Sequence, residues 1–165
     1  MKTILLMRHA KSSWKEKEEK DHKRPLAKRG KRNASQMGEL MKEEELIPQL
    51  ILSSSALRAQ QTAELFVKGS GYQGEIKYLD SLFMAEGDEY LKLLRSLPDD
   101  IERVMIIGHN PGLESMIPLL TRQVEAIPTA AIAYLIAQIS HWKDLSKDTE
   151  IDLVEIWRPK ELTTA

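Results

Sequence analysis

Ile4-Leu5-Leu6-Met7-Arg8-His9-Ala10-Lys11-Ser12-Ser13 is an apolar run that stops abruptly at an arginine, a histidine and small polar residues. Consecutive apolar residues bounded by polar ones predict a strand buried on both faces, as inside a parallel sheet. In open α/β sheets ligands collect just beyond the carboxyl ends of such strands, so Arg8 and His9 are expected at a site edge. Two further runs are built alike. Arg103-Val104-Met105-Ile106-Ile107-Gly108-His109-Asn110-Pro111-Gly112 delivers a second histidine. Leu50-Ile51-Leu52-Ser53-Ser54-Ser55-Ala56-Leu57-Arg58 delivers a second arginine, one turn into a helix. Three strand ends converge on two histidines and two arginines.

Around these runs the pattern alternates strand and helix. From Leu26 to Glu45, Ala34, Met37, Leu40 and Met41 recur at helical spacing and predict an amphipathic helix covering one sheet face, with Gly38 weakening it. Pro48 ends that helix and opens the strand Gln49–Leu52. Ser54 or Ser55 is the expected N-cap of a helix running to about Lys68, with Gly69 and Gly71 as its stop. If Ser55 caps, Arg58 lies beside free backbone N–H groups and the positive end of the helix dipole, a poor place for a cation but a good one for holding an anion. Residues 75–79 read as a strand and 87–97 as a helix with Tyr90, Leu91, Leu94 and Leu97 on one face. Asn110 is the expected cap of the helix after Val104–Ile107, with Pro111 at its first position. Residues 130–139 and 151–157 read as two more strands, the first open to a helical reading on periodicity alone. Trp14 to Arg24, dense in Lys and Glu, reads as a solvated loop or short exposed helix. The expectation is a single domain over residues 1–165, a three-layer α/β/α fold with a mostly parallel central sheet and an antiparallel edge near Ile76 or Ile151.

At 165 residues the chain is long enough to bury about two thirds of its unfolded surface. A formal net charge of −1 gives no bulk electrostatic reason to expect a nucleic acid or a membrane as partner. The sequence has no cysteine, which excludes disulfides, thiolate metal sites and a cysteine nucleophile. The first apolar run is too short for a signal-peptide core, and nothing approaches the roughly 20 apolar residues of a membrane span. A cytoplasmic, monomeric protein is expected.

Two arginines, two histidines and two helix N-termini suit a dianionic tetrahedral group, because guanidinium forks match phosphoryl oxygens in pairs. Phosphate is the natural candidate, and the nucleophile is then His9 or a serine. Zinc is the competing reading of paired histidines. No helix carries two ligands at one-turn spacing, the residues beside both histidines are small or cationic, and Arg8 and Arg58 repel a divalent ion. No metal and no cofactor are expected. His22 and His141 read as ordinary core or surface histidines.

Arg8-His9 after the first strand, Ser54 to Arg58 with Gln61-Thr62-Ala63 after the second, and Gly108-His109-Asn110-Pro111 after a later one resemble the histidine phosphatase superfamily, with its phosphoglycerate mutase-like fold. Arg8 to Trp14, Asp21-His22-Lys23-Arg24-Pro25-Leu26, Lys28-Arg29-Gly30 and Arg158-Pro159-Lys160-Glu161-Leu162 resemble its short SixA-type phosphohistidine phosphatases. The resemblance spans nearly the whole chain. It implies that His9 is a nucleophile forming a covalent phosphohistidine, that Arg8, Arg58 and His109 hold the non-bridging oxygens, and that Ser12 is a further phosphate ligand. Many relatives carry a glutamate just after the third strand, where this chain has Met84. Glu86 and Asp21 are the candidate general acids, and a site without one is the third alternative. Imidazole leaves phosphorus more readily than an alkoxide does, so a missing acid favours N–P hydrolysis. Short site loops suit a phosphorylated side chain on a protein. Lys11, Lys15, Lys20, Lys23, Arg24, Lys28, Arg29, Lys31 and Arg32 form either a basic rim toward an acidic partner or a solubilising surface. The expected activity is a phosphohistidine phosphatase acting on a phosphorylated protein, such as a histidine phosphotransfer domain, or on a small phosphorylated substrate. A broad phosphomonoesterase and a non-catalytic phosphate-binding module are the alternatives.

Overall fold

The computed structural model describes residues 1–13 and 21–162, so most of the expected loop from Trp14 to Arg24, with Lys15 and Lys20, lies outside the described residues. The strands are β1 (Lys2–Arg8), β2 (Leu50–Ser54), β3 (Ile76–Leu79), β4 (Arg103–Gly108), β5 (Ile132–Ala137) and β6 (Ile151–Trp157). The α-helices are α1 (Lys28–Glu43), α2 (Leu57–Ser70), α3 (Gly87–Arg95) and α4 (Gly112–Thr121). One sheet runs β3-β2-β4-β1-β5-β6. β3, β2, β4 and β1 are parallel, while β5 lies antiparallel to both β1 and β6. The departure from parallel pairing is therefore at β5 and β6, as expected near Ile151 and not near Ile76.

The central strands read as unbroken apolar runs because both their faces are covered. Ile4 and Leu6 join Leu52, Val104 and Ile106 in a core under α3 and α4, with Tyr90, Leu94, Leu113 and Met116. The alternate residues Leu5 and Met7 join Ile51, Met105 and Ile107 in a second core under α1 and α2, with Met37, Met41, Ala63 and Phe66. These are the three expected layers. β5 is a strand, paired along its length from Lys2↔Ala137 to Met7↔Ile132. Among the described residues no helix is long and apolar enough to cross a membrane.

The helix ends differ from expectation in instructive ways. α1 and α2 cross so closely that a Cβ on Gly38 would collide with the Phe66 carbonyl oxygen, and one on Gly69 with that of Ser35. Gly69 is thus a helix contact, and the stop is Gly71 alone, at φ 76° with its N–H donating to Val67 O. Ala56, not a serine, occupies the cap position of α2. Pro111 occupies that of α4, and Asn110 Oδ1 accepts the Glu114 N–H from just outside the helix.

Candidate active site

Register places the two histidines. Arg8 on β1 lies opposite Gly108 on β4, so the next residues, His9 and His109, emerge side by side from the carboxyl ends of adjacent parallel strands. The His9 N–H donates to Gly108 O at 3.0 Å, and the ring centroids are 5.0 Å apart. On the other side of β4, Ser53 of β2 pairs with Ile107, which brings Ser54 Oγ to 2.7 Å from His109 Nε2. Arg58 is the second residue of α2. One turn on, Thr62 Oγ1 accepts the Ala10 N–H at 3.0 Å and donates to Arg58 O at 2.7 Å, tying the loop after β1 to the helix that carries Arg58.

His9 is 8% exposed, and its Nδ1 lies 2.8 Å from Ala10 O. A carbonyl only accepts, so Nδ1 carries the proton and Nε2 the lone pair. Burial lowers the His9 pKa to about 3; the Ala10 carbonyl opposes this, and His109, Arg58 and Arg8 add to it. His109 is lowered to about 4, first by burial, then by Arg58, against the pull of Asp21. Both imidazoles are neutral at neutral pH. Arg58 Nη2 reaches His109 Nδ1 at 3.5 Å, the outer edge of a hydrogen bond. Ser54 Oγ also accepts the Ala56 N–H at 3.2 Å, and a hydroxyl serves either tautomer of His109 because it donates as well as accepts.

Arg58, 7% exposed, donates from Nη1 to Asp21 O at 2.6 Å and from Nη2 to Asp21 Oδ2 at 3.1 Å. Arg8 is half-buried. Its Nη1 reaches Ile127 O only at 3.4 Å, and its buried Nε has no hydrogen-bond partner. Burial lowers its pKa, with Glu114 opposing. Two guanidinium groups thus flank a neutral imidazole that presents a lone pair.

Residues 4–134 match the family model of the histidine phosphatase superfamily, branch 1. The chain belongs to this superfamily. Among its relatives, an uncharacterised chloroplastic protein of Arabidopsis thaliana is 29% identical over 150 residues, covering 86% of this chain and 69% of its own length. An uncharacterised protein of Mycobacterium leprae is 30% identical over 142 residues, covering 78% of this chain and 86% of its own length. A solved structure from Agrobacterium tumefaciens, assigned as phosphohistidine phosphatase SixA, superposes with TM-score 0.81 at 26% identity over 96% of this chain and 98% of its own. A tungstate complex of the protein histidine phosphatase SixA gives TM-score 0.83 at 21% identity, covering 98% and 99%, and speaks for the fold alone. The fold is the phosphoglycerate mutase-like one, and the coarse function that follows is that of a phosphatase.

The remaining expected residues of this histidine phosphatase fall in different places. Asp21 is at the site, but both carboxylate oxygens are engaged: Oδ2 by Arg58, and Oδ1 by Arg24 Nη1 at 3.3 Å. Ser12, expected as a phosphate ligand, is 6% exposed and its Oγ accepts from Arg24 Nη2; the structure makes it an anchor for Arg24. Glu86 is exposed at the cap position of α3, on the wall of a groove of about 560 Å³ that runs from His109 past Phe83, Met84 and Pro111. His141 lies at the opposite end of the sheet, 2.8 Å from Asp99 Oδ2, an ordinary surface histidine as expected. His22 is not ordinary. Its Nε2 is 3.0 Å from Ser55 Oγ and its ring stands edge-on to Phe83, which in turn stands edge-on to His109 at 5.6 Å. His22, Phe83 and Ser54 are site residues whose roles the sequence did not reveal; the only signal was their place inside or beside the quoted motifs. Among the described residues no three His, Asp or Glu side chains converge as metal ligands.

Proposed function

We propose that the chain is a metal-independent phosphohistidine phosphatase in which His9 is the nucleophile. The observation that carries this reading is the His9 ring: neutral, with its proton fixed on Nδ1 by Ala10 O and its Nε2 lone pair free beside Arg8, Arg58 and His109. Nε2 attacks phosphorus and the bond from phosphorus to the leaving nitrogen breaks; the substrate imidazole, already protonated on its other ring nitrogen, departs as a neutral ring. As the His9 ring gains positive charge, the Nδ1–H bond to Ala10 O strengthens. Arg8, Arg58 and His109 face the charge that spreads over the equatorial oxygens. Water then cleaves the N–P bond on His9, giving inorganic phosphate and regenerating the neutral ring. The guanidinium groups supply the positive charge that a metal would otherwise bring.

The substrate class rests on the acids. Asp21 has both carboxylate oxygens engaged by arginines, and Glu86 stands exposed on a groove wall. A leaving imidazole needs far less protonation than an alkoxide, so this constellation suits N–P hydrolysis. Similarity to a structure assigned as SixA supports the same class. The donor is a phosphohistidine on a protein, such as a histidine phosphotransfer domain, or a small phosphoramidate, met in the cytoplasm.

Rapid-quench mixing with a labelled phosphohistidine peptide tests this. The expected result is an acid-labile, alkali-stable phosphoenzyme in the parent, absent in His9→Ala, with turnover insensitive to EDTA and faster than that of p-nitrophenyl phosphate. Turnover that persists in His9→Ala, or that EDTA abolishes and a divalent ion restores, overturns it.

A further inference from the structure

A second groove, of about 480 Å³, shares no residue with the one beside Phe83. Its walls carry Arg8, Lys11, Arg29 and Lys160, together with Asn33 and Thr129, and among the described residues no carboxylate lines it. In a chain of 24 basic and 25 acidic residues that balance is unusual. The four cations come from three separate parts of the sequence: the end of β1 with the loop just after it, the first turn of α1, and the short helical turn 159–161 after β6. Only folding brings them together. Lys11, Arg29 and Lys160 make no ion pair with any of the described residues. Arg8 contributes a buried Nε with no acceptor. Burying a donor without a partner costs free energy, and an oxyanion is the acceptor that four neighbouring cations attract most strongly.

Arg8 also connects the groove to the chemistry, since its charge acts on both His9 and His109. Deepening the phosphatase reading, on which this inference rests, we propose that the groove is a second anion site: it holds a phosphoryl or carboxylate group carried by the same substrate whose phosphoryl group reacts at His9. The Asn33 amide and the Thr129 hydroxyl supply neutral donors to the same group. A substrate with a single phosphoryl group leaves the groove empty. An acidic segment flanking a phosphohistidine, or a second phosphate on a small molecule, fills it.

The test compares parent with the double variant Arg29→Ala/Lys160→Ala, both side chains being exposed and outside the reaction centre. The probes are phosphohistidine peptides with glutamate or alanine flanks, α,ω-alkanediol bisphosphates against their monophosphates, and p-nitrophenyl phosphate. The expected result is a kcat/KM about tenfold higher for the acidic peptide or the bisphosphate than for its neutral or single-phosphate counterpart, the order of a few partly exposed charge contacts together. That advantage disappears in the double variant and at about 0.5 M salt, where screening is strong, while p-nitrophenyl phosphate is turned over unchanged. Preference for the peptide or for the bisphosphate identifies the source of the anion. Fluorescence anisotropy of the labelled peptides in a His9→Ala background reads the same preference as affinity, so an absence of turnover overturns the phosphatase reading without deciding this one. Equal handling of acidic and neutral probes by the parent, or an advantage that survives in the double variant, overturns the second anion site.

Discussion

Asp21→Asn separates a carboxylate that shapes the pocket from one that delivers a proton. Asp21 Oδ2 and Oδ1 lie 3.1 Å and 3.3 Å from Arg58 Nη2 and Arg24 Nη1, while the main-chain oxygen of Asp21 accepts from Arg58 Nη1 at 2.6 Å. That last bond survives any change of side chain. The Asp21 side chain is 56% exposed, so each ion pair is worth the ~0.2–1 kcal/mol of an accessible pair. If all of that is spent in misplacing Arg58, the two pairs together amount to about 0.5–2 kcal/mol, a loss of roughly 2- to 30-fold in kcat/KM. A positioned general acid is worth about 10²–10⁴-fold. The assay is kcat/KM against pH for a phosphohistidine peptide, an aryl phosphate and an alkyl phosphate, whose leaving groups need increasing help from a proton. The expected result is a modest loss, equal for all three and constant with pH. A loss above about 10²-fold concentrated on the alkyl ester, with the alkaline limb of the profile removed, refutes the reading of Asp21 as a holder of Arg58 and makes it the acid.

Stability is expected to fall on acidification through the same histidines that serve the site. His9 and His109 have pKa values of about 3 and about 4 when folded, against the ordinary 6.5, so between pH ~6 and ~4 the unfolded chain binds up to two protons more than the folded one. Stability present above about pH 6.5 is then lost as pH falls, at up to about 2.7 kcal/mol per pH unit; urea midpoints at stepped pH check this, and His109→Gln should remove about half the slope. Ser54→Ala takes away the 2.7 Å partner of His109 Nε2 and should lower kcat about tenfold, with a change in the imidazole ¹⁵N shifts of His109; unchanged shifts would count against a positioning role. Gly69→Ala drives a methyl group into the Ser35 carbonyl and forces α1 and α2 apart, an overpacking cost of about 1–3 kcal/mol, so thermal melting should drop by about 3–10 °C with kcat unaltered.

Strand ends carried most of what was legible in the sequence. Ile4–Met7 and Val104–Ile107 showed as unbroken runs because each is covered on both faces, and His9 and His109 stood out as the first polar side chains beyond them. Parallel register then did the rest, since Arg8 opposite Gly108 leaves the two imidazoles no choice but to be neighbours. What depends on three dimensions stayed hidden. A glycine that stops a helix and one that lets two helices touch look alike in sequence, and Gly69 is of the second kind. Ser54 and Ser55 looked like caps, but their hydroxyls face His109 and His22 instead. Phe83 and His22 come from loops whose approach to the pocket no periodicity encodes. Asp21 and Ser12 were visible as polar residues near the site, while their pairing with Arg58 and Arg24 was not.

The electrostatics of the pocket joins these observations. Arg8, Arg24 and Arg58 crowd it, with Asp21 bridging Arg24 and Arg58 and with two buried imidazoles beside them. Had the histidines been charged, two more cations would join three arginines in a region of low dielectric, where like charges repel strongly. Burial prevents this by keeping both rings neutral, and the same neutrality gives His9 its nucleophilic lone pair. Under the proposed mechanism a dianionic phosphoryl group reverses the balance: an opposite charge within a few ångströms raises the pKa of His109, which then takes up a proton and becomes a second donor alongside Arg58. His9 cannot follow, because phosphorus occupies the Nε2 position where its proton would go. Two histidines with nearly the same surroundings in the empty site thus acquire opposite roles once it is filled, and the cost of keeping them neutral in the folded chain appears as sensitivity to acid.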